Sequence, residues 1–264
     1  MPLYIFCGEH LLCMRLRSAD QDAAAGSLEE VERIVGQIRE HWPQVRVILR
    51  GDSGFCRNAL MTWCESNRVD FVFGIARNKR LEALLAKTMK KAHAEKKRTG
   101  KRARVFTEFR YETLDKTWSR KRRVIGKAEV LEDKENPRFV VTSLGKDQGL
   151  AQSLYEELYC QRGEMENRIK EQLSLFAGRV SAETMRANQV RLYLSGMAYV
   201  LVSALRRLGL VGTELARAQA TTIRLRLFKI GAQVRVTARR VWIQLAASFP
   251  LQELFSQVSA TLRC

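Results

Sequence analysis

Residues 45–55 read Val-Arg-Val-Ile-Leu-Arg-Gly-Asp-Ser-Gly-Phe. The short apolar run at 45–49 predicts a buried strand, and residues 50–55 predict the turn that follows it. In open α/β sheets, ligands bind beyond the carboxyl ends of the strands, which is where this turn would place Asp52. Asp-Ser-Gly is also common in ordinary turns, so these residues alone leave Asp52 equally open to a structural and a functional role.

The segments on either side of this strand alternate between strand and helix patterns. Upstream, two short strand patterns predict a hairpin around Gly8, and Ser27 begins a capping box for a helix that ends before Pro43. Downstream come a helix pattern at 58–67 and a strand pattern at 71–76. Strands separated by helices within so short a length indicate an α/β sheet.

The rest of the chain changes its pattern twice. A basic helix at 80–97 leads into three strand-like runs, and a long helix at 150–176 is followed by a second helix around 190–208. Near the end, alternating apolar and polar residues predict strands at 223–227, 234–236 and 241–245.

Basic residues are concentrated in two parts of the chain. Lys and Arg number 46 against 28 Asp and Glu, which gives a formal net charge of +18. Residues 77–127 hold 19 basic and 5 acidic side chains, and residues 184–264 hold 12 and 2. Such blocks repel themselves unless a polyanion neutralises them, so they predict defined docking surfaces. The structural alternative for the basic run at 87–104 is a solvated helix end and loop.

Composition argues against several functional classes. The six cysteines form no Cys-x-x-Cys pair and lie near no pair of histidines, which argues against structural zinc and for reduced thiols in a cytoplasmic protein. The apolar stretch at 192–205 is shorter than the about 20 residues that a membrane-spanning helix needs. The basic runs lack the interleaved Trp, Phe and Leu of an interfacial helix, so an acidic membrane is the weaker candidate partner.

A second candidate region lies in the predicted helix at 150–176. Glu166 borders its apolar face, whereas Glu164 points the other way, and Gly163 in mid-helix predicts the close approach of another group. An ordinary surface Glu–Lys pair at i,i+4, worth about 0.3–0.5 kcal/mol, is the structural alternative for Glu166. The polar stripe to which Glu166 belongs consists of Tyr159, Arg162, Glu166 and Lys170.

Taken together, these motifs resemble a known family. Tyr-x2-Arg-x3-Glu downstream of strand-Asp-Ser-Gly-Phe, with a basic β-rich segment between them, resembles the bacterial DDE transposases. The resemblance is to the insertion-sequence 1380 group, which is related to the insertion-sequence 4 superfamily. It covers nearly the whole chain, and the matching segments are Leu16-Arg17 with the following Ala/Gly stretch, 50–55, 155–172 and 212–231.

The resemblance implies an α/β fold with an RNase H-like catalytic core. The first part of the core would cover residues 1–76, a basic β-rich insertion domain 77–149, the core helix with the catalytic Glu 150–183, and a C-terminal helical and β-strand extension 184–264. In the family, the first catalytic Asp lies on a strand that precedes a Pro-Leu-x-Ile/Val-Phe segment. The chain starts at that segment, so the resemblance implies a core that lacks its first strand and an N-terminally truncated transposase.

The resemblance also implies the catalytic residues. Asp52 and Glu166 would be the catalytic carboxylates and the ligands of Mg²⁺ (or Mn²⁺), while Tyr159 and Arg162 match supporting positions of the signature. The Lys of the signature is replaced by Leu173, and Lys170, one turn earlier, is the candidate substitute. Cutting and joining DNA with two ions about 4 Å apart needs three converging carboxylates. With only two assigned, we expect the chain to be inactive alone.

The implied partners are double-stranded DNA, the terminal inverted repeats of the element, and a second copy of the chain in a synaptic complex, with no membrane. The expected location is the cytoplasm, in association with the nucleoid. Trp118 would either stack on an unpaired base or pack within a hairpin. The expected DNA-binding residues are Lys96, Lys97, Arg98, Lys101, Arg102, Trp118, Arg120, Lys121, Arg122 and Arg123.

Two alternatives stay open at the level of sequence. The chain could be a non-catalytic DNA-binding remnant that occupies the element ends or inhibits the full-length transposase. A second basic group, either another DNA surface or a dimer contact, comprises Arg224, Arg226, Lys229, Arg239 and Arg240.

Overall fold

The computed structural model describes residues 2–115, 117–132, 134–175, 178 and 181–262. The chain divides into two compact units. Residues Ala19–Glu164 form the sheet unit, and Met1–Ser18 together with Met165–Cys264 form the helical unit. The boundary between Glu164 and Met165 separates Asp52 from Glu166.

Strands and helices alternate along the chain, as the sequence predicts for an α/β protein. The strands are β1 (Pro2–Cys7), β2 (His10–Leu16), β3 (Val47–Gly51), β4 (Val69–Ile75), β5 (Ala103–Tyr111), β6 (Arg122–Leu131), β7 (Lys134–Glu135), β8 (Arg138–Thr142), β9 (Ala232–Val236) and β10 (Val241–Leu245). The α-helices are α1 (Ser27–His41), α2 (Asn58–Ser66), α3 (Lys79–Thr99), α4 (Ala151–Ser153), α5 (Gly163–Ser174), α6 (Met185–Leu208), α7 (Ala220–Ile223) and α8 (Gln252–Thr261).

The sheet unit is built on a mixed six-stranded sheet. Its strand order is β3-β4-β8-β6-β5, with β7 paired to β6. The pair β3–β4 is parallel and the other pairs are antiparallel. Strands β5, β6 and β8 come from the segment 77–149, so the residues expected to form an insertion extend the sheet of the preceding residues.

Helices cover both faces of this sheet. The basic helix α3 is amphipathic, and its buried residues Leu81, Leu85 and Met89 recur every four positions on the side that faces the strands. On the other face, Ile125 of β6 belongs to a cluster with Leu154. Strand β6 is therefore buried on both sides, from its first residue to Val130.

The helical unit packs the β1–β2 hairpin against α6. Leu16 donates its backbone N–H to Gln189 Oε1 at 2.6 Å, and the Tyr199 hydroxyl donates to the Glu9 carbonyl at 3.0 Å. A cluster of buried residues that includes Ile223 and Val258 joins the end of α6 to α7 and α8, and Phe6 and Leu11 of the hairpin pack against it. The predicted hairpin around Gly8 is thus present, with β1 and β2 antiparallel.

Two local predictions were wrong. Residues 223–227, expected as a strand, are helical, because the buried side chains Ala220, Ile223 and Leu227 follow a helical spacing and not the alternation of a strand. Ser27 does not form a capping box: its hydroxyl donates to the Ala24 carbonyl at 2.6 Å, and α1 begins after Gly26. The strands expected at 234–236 and 241–245 are present as β9 and β10.

Across the described residues, every helix is too short or too polar to cross a lipid bilayer.

Candidate functional site

Asp52 lies directly after β3, at the carboxyl end of the parallel strand pair. Its backbone is extended, and its carboxylate accepts a hydrogen bond from the Gly54 N–H at 2.8 Å. The side chain thereby starts the single turn of 3₁₀ helix at Ser53–Phe55. Asp52 is half-buried. It therefore performs the structural role that Asp-Ser-Gly predicts, and one carboxylate oxygen faces a backbone donor.

Tyr159 meets this turn at Gly74 of β4. A Cβ built on Gly74 would lie 2.6 Å from the Tyr159 hydroxyl oxygen, 3.1 Å from the Ser53 nitrogen and 3.4 Å from the Asp52 carbonyl carbon. Any larger residue at position 74 would displace the tyrosine or the turn. A glycine inside a strand often marks such a close approach, so Phe-Val-Phe-Gly-Ile in the sequence carried a signal that our prediction did not use.

Arg162 lies beside Tyr159 in the same unit. Its guanidinium carbon is 5.9 Å from the centroid of the tyrosine ring. Burial raises the pKa of Tyr159; the charge of Arg162 and its hydrogen bond oppose that shift, and the negative charge of Asp52 adds to it. Tyr159 therefore keeps its proton at neutral pH and can act as a hydrogen-bond donor. The sheet unit thus brings together Asp52, Tyr159 and Arg162.

Arg50 fixes this arrangement from β3. Its guanidinium donates to the Leu158 carbonyl at 2.9 Å and lies 3.3 Å from Gln161 Oε1. The helical run here is continuous but irregular, since α4 passes through a π-helical stretch (Leu154–Tyr159) and a 3₁₀ turn (Cys160–Arg162) into α5. π-helical turns are rare and occur frequently at functional sites. Sequence reasoning predicted a regular helix and did not foresee the link from Arg50.

Glu166 and Lys170 lie on α5 in the helical unit, and both side chains are exposed. Leu173, which stands where the signature has Lys, is partly buried. Among the described residues, no atom outside its chain neighbours and its own helix backbone lies within 4 Å of where a Cβ on Gly163 would be. These residues therefore do not make the close approach that we expected at Gly163.

The described residues do not bring three metal-ligating side chains together. In neither unit does a group of three or more His, Cys, Asp or Glu side chains form within those residues. Stable coordination of Mg²⁺ in DNA cleavage needs converging carboxylates, and the described residues at the end of β3 form no cluster of three such ligands around Asp52. The side chains of a single unit therefore do not fit a two-ion site.

Most of the expected DNA-binding residues are exposed. They lie in the last turn of α3, which the αL glycine Gly100 terminates, in the loop after it, and just before β6. Arg120 and Lys121 are exposed and lie within 3.4 Å of Glu65 and 3.5 Å of Glu112, respectively. The exposed members are Lys97, Arg98, Lys101, Arg102, Arg120 and Lys121, and Lys96 is partly exposed.

Three of the expected DNA-binding residues are buried instead. Trp118 packs edge-on against Tyr111, with 5.7 Å between ring centroids, so its packing role is the one observed. Arg122 forms an ion pair with Glu65 at 2.8 Å and is 2% exposed. Arg123 pairs with Glu108 and also donates to the Leu144 carbonyl at 3.0 Å. Arg122 and Arg123 lie in β6, an interior strand of the sheet, and there they pair with acids that are distant in the sequence.

A further buried ion network lies along β6 and was not anticipated. Glu129, at 5% side-chain exposure, pairs with Lys127 and with Arg104 of β5, and Arg104 also pairs with Glu156. Burial by itself would raise the pKa of Glu129, but hydrogen bonds from Lys127, Arg104 and Asn136 lower it to about 2. Part of the positive charge of residues 77–127 is therefore neutralised inside the protein.

Comparison with protein families gives a match over the whole chain. The model described as transposase DDE domain group 1 matches residues 1–264. The chain belongs to this family of DDE transposase domains. No curated protein matches the chain. In this DDE transposase domain, the mixed α/β sheet with its covering helices agrees with the nuclease-like fold of such domains.

Proposed function

We propose that the chain acts in DNA transposition, with Asp52 and Glu166 as the catalytic carboxylates of a DDE transposase. The observation that carries this proposal is the match of the transposase family model to residues 1–264. Asp52 lies at the carboxyl end of a parallel strand, beside Tyr159 and Arg162, which we propose as supporting residues. Lys170 is proposed to take the place of the signature lysine.

The core is proposed to be related to RNase H, and the family branch to be the insertion-sequence 1380 group of the insertion-sequence 4 superfamily. Mg²⁺ or Mn²⁺ is the proposed cofactor of an assembly in which Asp52, Glu166 and a third carboxylate converge. The side chains of one unit do not supply that set. We therefore derive no step of the reaction through the ion.

The proposed partner is double-stranded DNA at the terminal inverted repeats, bound by a homodimer associated with the nucleoid. The exposed basic residues at the end of α3 and before β6 would bind phosphates, and phosphate contacts position a duplex without reading its sequence. Basic residues near a helix C-terminus also stabilise the helix dipole. This surface contains more basic residues than that role requires. The proposed DNA surface comprises Lys96, Lys97, Arg98, Lys101, Arg102, Arg120 and Lys121.

A second candidate function is DNA binding without catalysis. It is favoured by the arrangement around Asp52, where the described residues form no group of three or more His, Cys, Asp or Glu side chains that could hold a metal ion. Such a chain would occupy the element ends or inhibit a catalytically complete transposase. Both candidates require that the purified chain binds duplex DNA, and they differ in cleavage.

The test combines binding and cleavage by the purified chain. The probe is a labelled duplex that carries the ends of the element encoding the chain, with Mg²⁺ or Mn²⁺ added. We expect binding that weakens by about 10³-fold or more between roughly 50 and 200 mM salt, as for six or more phosphate contacts. We expect no nicking. A flat salt titration would count against the DNA surface.

Variants identify the residues involved. Combined replacement of Lys97, Arg98, Lys101 and Arg102 by Ala should flatten the salt dependence, whereas Arg33→Ala in α1, whose partner is Glu30, should leave it unchanged. Nicking that is lost in both Asp52→Asn and Glu166→Gln would support the two carboxylates and would overturn the expected inactivity of the chain alone. Nicking that survives both variants would refute the catalytic assignment.

A further inference from the structure

The two strands near the C-terminus form a ribbon that stands by itself as a sheet. Strands β9 and β10 pair antiparallel, from Val236 opposite Val241 to Ala232 opposite Leu245. The turn between them is closed by hydrogen bonds: the Thr237 N–H donates to the Arg240 carbonyl at 2.8 Å, and the Arg240 N–H donates to Thr237 Oγ1 at 3.1 Å. We call residues 232–245 the ribbon.

The ribbon has two chemically different faces. Residues that lie opposite each other in an antiparallel pair share a face, and neighbours along a strand alternate between faces. Every residue of both strands is exposed. One face is apolar and consists of Ala232, Val234, Val236, Val241, Ile243 and Leu245. The other is polar and aromatic and consists of Gln233, Arg235, Trp242 and Gln244.

The polar face and the tip of the ribbon carry positive charge. Between Glu214 and Glu253 the sequence has no acidic residue. Arg235 lies opposite Trp242 near the end of β9, and the Arg240 guanidinium carbon lies 5.9 Å from a ring centroid of Trp242. With Arg239, three arginines therefore lie within six residues of one exposed hairpin. A partner that covers this face must supply negative charge.

We propose that the polar face of the ribbon enters the major groove of duplex DNA. This inference rests on the proposed function of the chain in transposition. A major groove about 12 Å wide admits a two-stranded ribbon. Arginine pairs with the acceptor edge of guanine and glutamine with the edge of adenine, so Gln233, Arg235 and Gln244 carry side chains suited to read base edges. Arg239 and Arg240, at the tip, would contact phosphates.

The geometry favours duplex DNA over other polyanions. The major groove of an RNA duplex is deep and narrow, which excludes a ribbon of this width. The apolar face has no donor or charge for a nucleic acid, so only the polar face can read one. The ribbon differs in this respect from the surface near α3, whose lysines and arginines can position DNA without distinguishing bases.

The experiment uses the full chain and a pool of random-sequence duplexes of about 30 base pairs, followed by fluorescence anisotropy on the enriched duplex. Wild type should enrich a short motif. Arg235→Ala should lower the affinity for the enriched duplex by about 5- to 150-fold and relax selection at one position. The double variant Arg239→Ala/Arg240→Ala should weaken binding to all duplexes and reduce the salt slope by about 1.8.

The matched control changes the apolar face. Val236, at 71% exposure, becomes Thr, which keeps the β-branched shape, and DNA binding should not change. All of these side chains are exposed, so circular dichroism and thermal unfolding should be the same for each variant and wild type.

The outcomes separate the two proposals. If wild type binds duplexes but the arginine variants bind with unchanged affinity, selectivity and salt slope, the ribbon assignment is overturned and the proposed function stands. If Val236→Thr alone weakens binding and also changes the oligomeric mass of the chain, the ribbon is an interface between proteins and the assignment is again overturned. If wild type binds no duplex, the proposed function is refuted, and the ribbon assignment that rests on it is refuted as well.

Discussion

Strand β6 and the ribbon are both rich in basic residues, but they use that charge in opposite ways. In β6, Arg122, Arg123 and Lys127 are buried, and each pairs with a carboxylate. In the ribbon, Arg235 and Arg240 are exposed, and the sequence of the hairpin contains no Asp or Glu. A basic segment therefore predicts a polyanion-binding surface only where the fold leaves its side chains exposed and does not bury them against acids. Net charge alone does not distinguish the two cases.

The largest effect on stability is expected when a carboxylate is removed from the buried ion network of β6. Glu129→Gln leaves the buried Lys127 and the partly buried Arg104 without their shared carboxylate, although Arg104 keeps Glu156. We expect the free energy of unfolding to fall by about 3–5 kcal/mol, measured by urea denaturation. The control Glu135→Gln changes an exposed pair with His93 and should cost less than about 0.5 kcal/mol. Equal effects of the two variants would mean that the β6 network is not important for stability.

Acid should weaken the same network without any mutation. The pKa of Glu129 is lowered from 4.5 to about 2 in the folded protein, since hydrogen bonds from Lys127, Arg104 and Asn136 outweigh burial. A carboxyl group whose folded pKa is depressed stabilises the protein fully above its unfolded pKa. That contribution should therefore be complete above about pH 4.5 and lost as pH falls toward 2. Denaturation at several pH values should show a smaller loss over this window in Glu129→Gln than in wild type.

A smaller effect is expected where the sheet unit packs most closely around Asp52. Gly74→Ala places a methyl group 2.6 Å from the Tyr159 hydroxyl and 3.1 Å from a backbone nitrogen, which should cost about 1–3 kcal/mol. Gly36→Ala in α1 meets no atom within 4 Å and should be stabilising by up to about 1 kcal/mol. If Gly74→Ala unfolds at the same urea concentration as wild type, the contact between Tyr159 and the turn is not tight.

Local apolar patterns were sufficient to predict most of the elements. The runs around β3 and β4, the hairpin β1–β2 and the alternation of β9 and β10 were all recognised, because each pattern is carried by neighbours in sequence. The helix at 223–227 was missed because five residues of alternating character fit a strand as well as one side of a helix. Only the burial of Ile223 and Leu227 together decides between them.

Long-range pairing could not be predicted from the same patterns. Arg122 and Arg123 look like an exposed basic run, and their partners Glu65 and Glu108 lie 57 and 15 residues away. Trp118 is a different case, because packing within a hairpin was one of its two predicted roles and it packs against Tyr111 at the end of β5. Of the candidate site, the position of Asp52 after a strand was predictable, whereas its contact with Tyr159 through Gly74 depends on the fold. The pairing of Asp52 with Glu166 stays a prediction.

The sheet unit ends at β3, and in the described part of the chain no further strand pairs with the outer side of β3. An apolar edge of this kind, here Val47, Ile48 and Leu49, is a template on which like molecules can add strand by strand. Charged residues at the ends of such a run slow that growth. Arg46 and Arg50 occupy those positions, and both are anchored, to Asp70 at 3.0 Å and to the Leu158 carbonyl at 2.9 Å. We therefore expect these two arginines to oppose edge-to-edge aggregation at β3, while Arg50 also holds the helical run at Leu158.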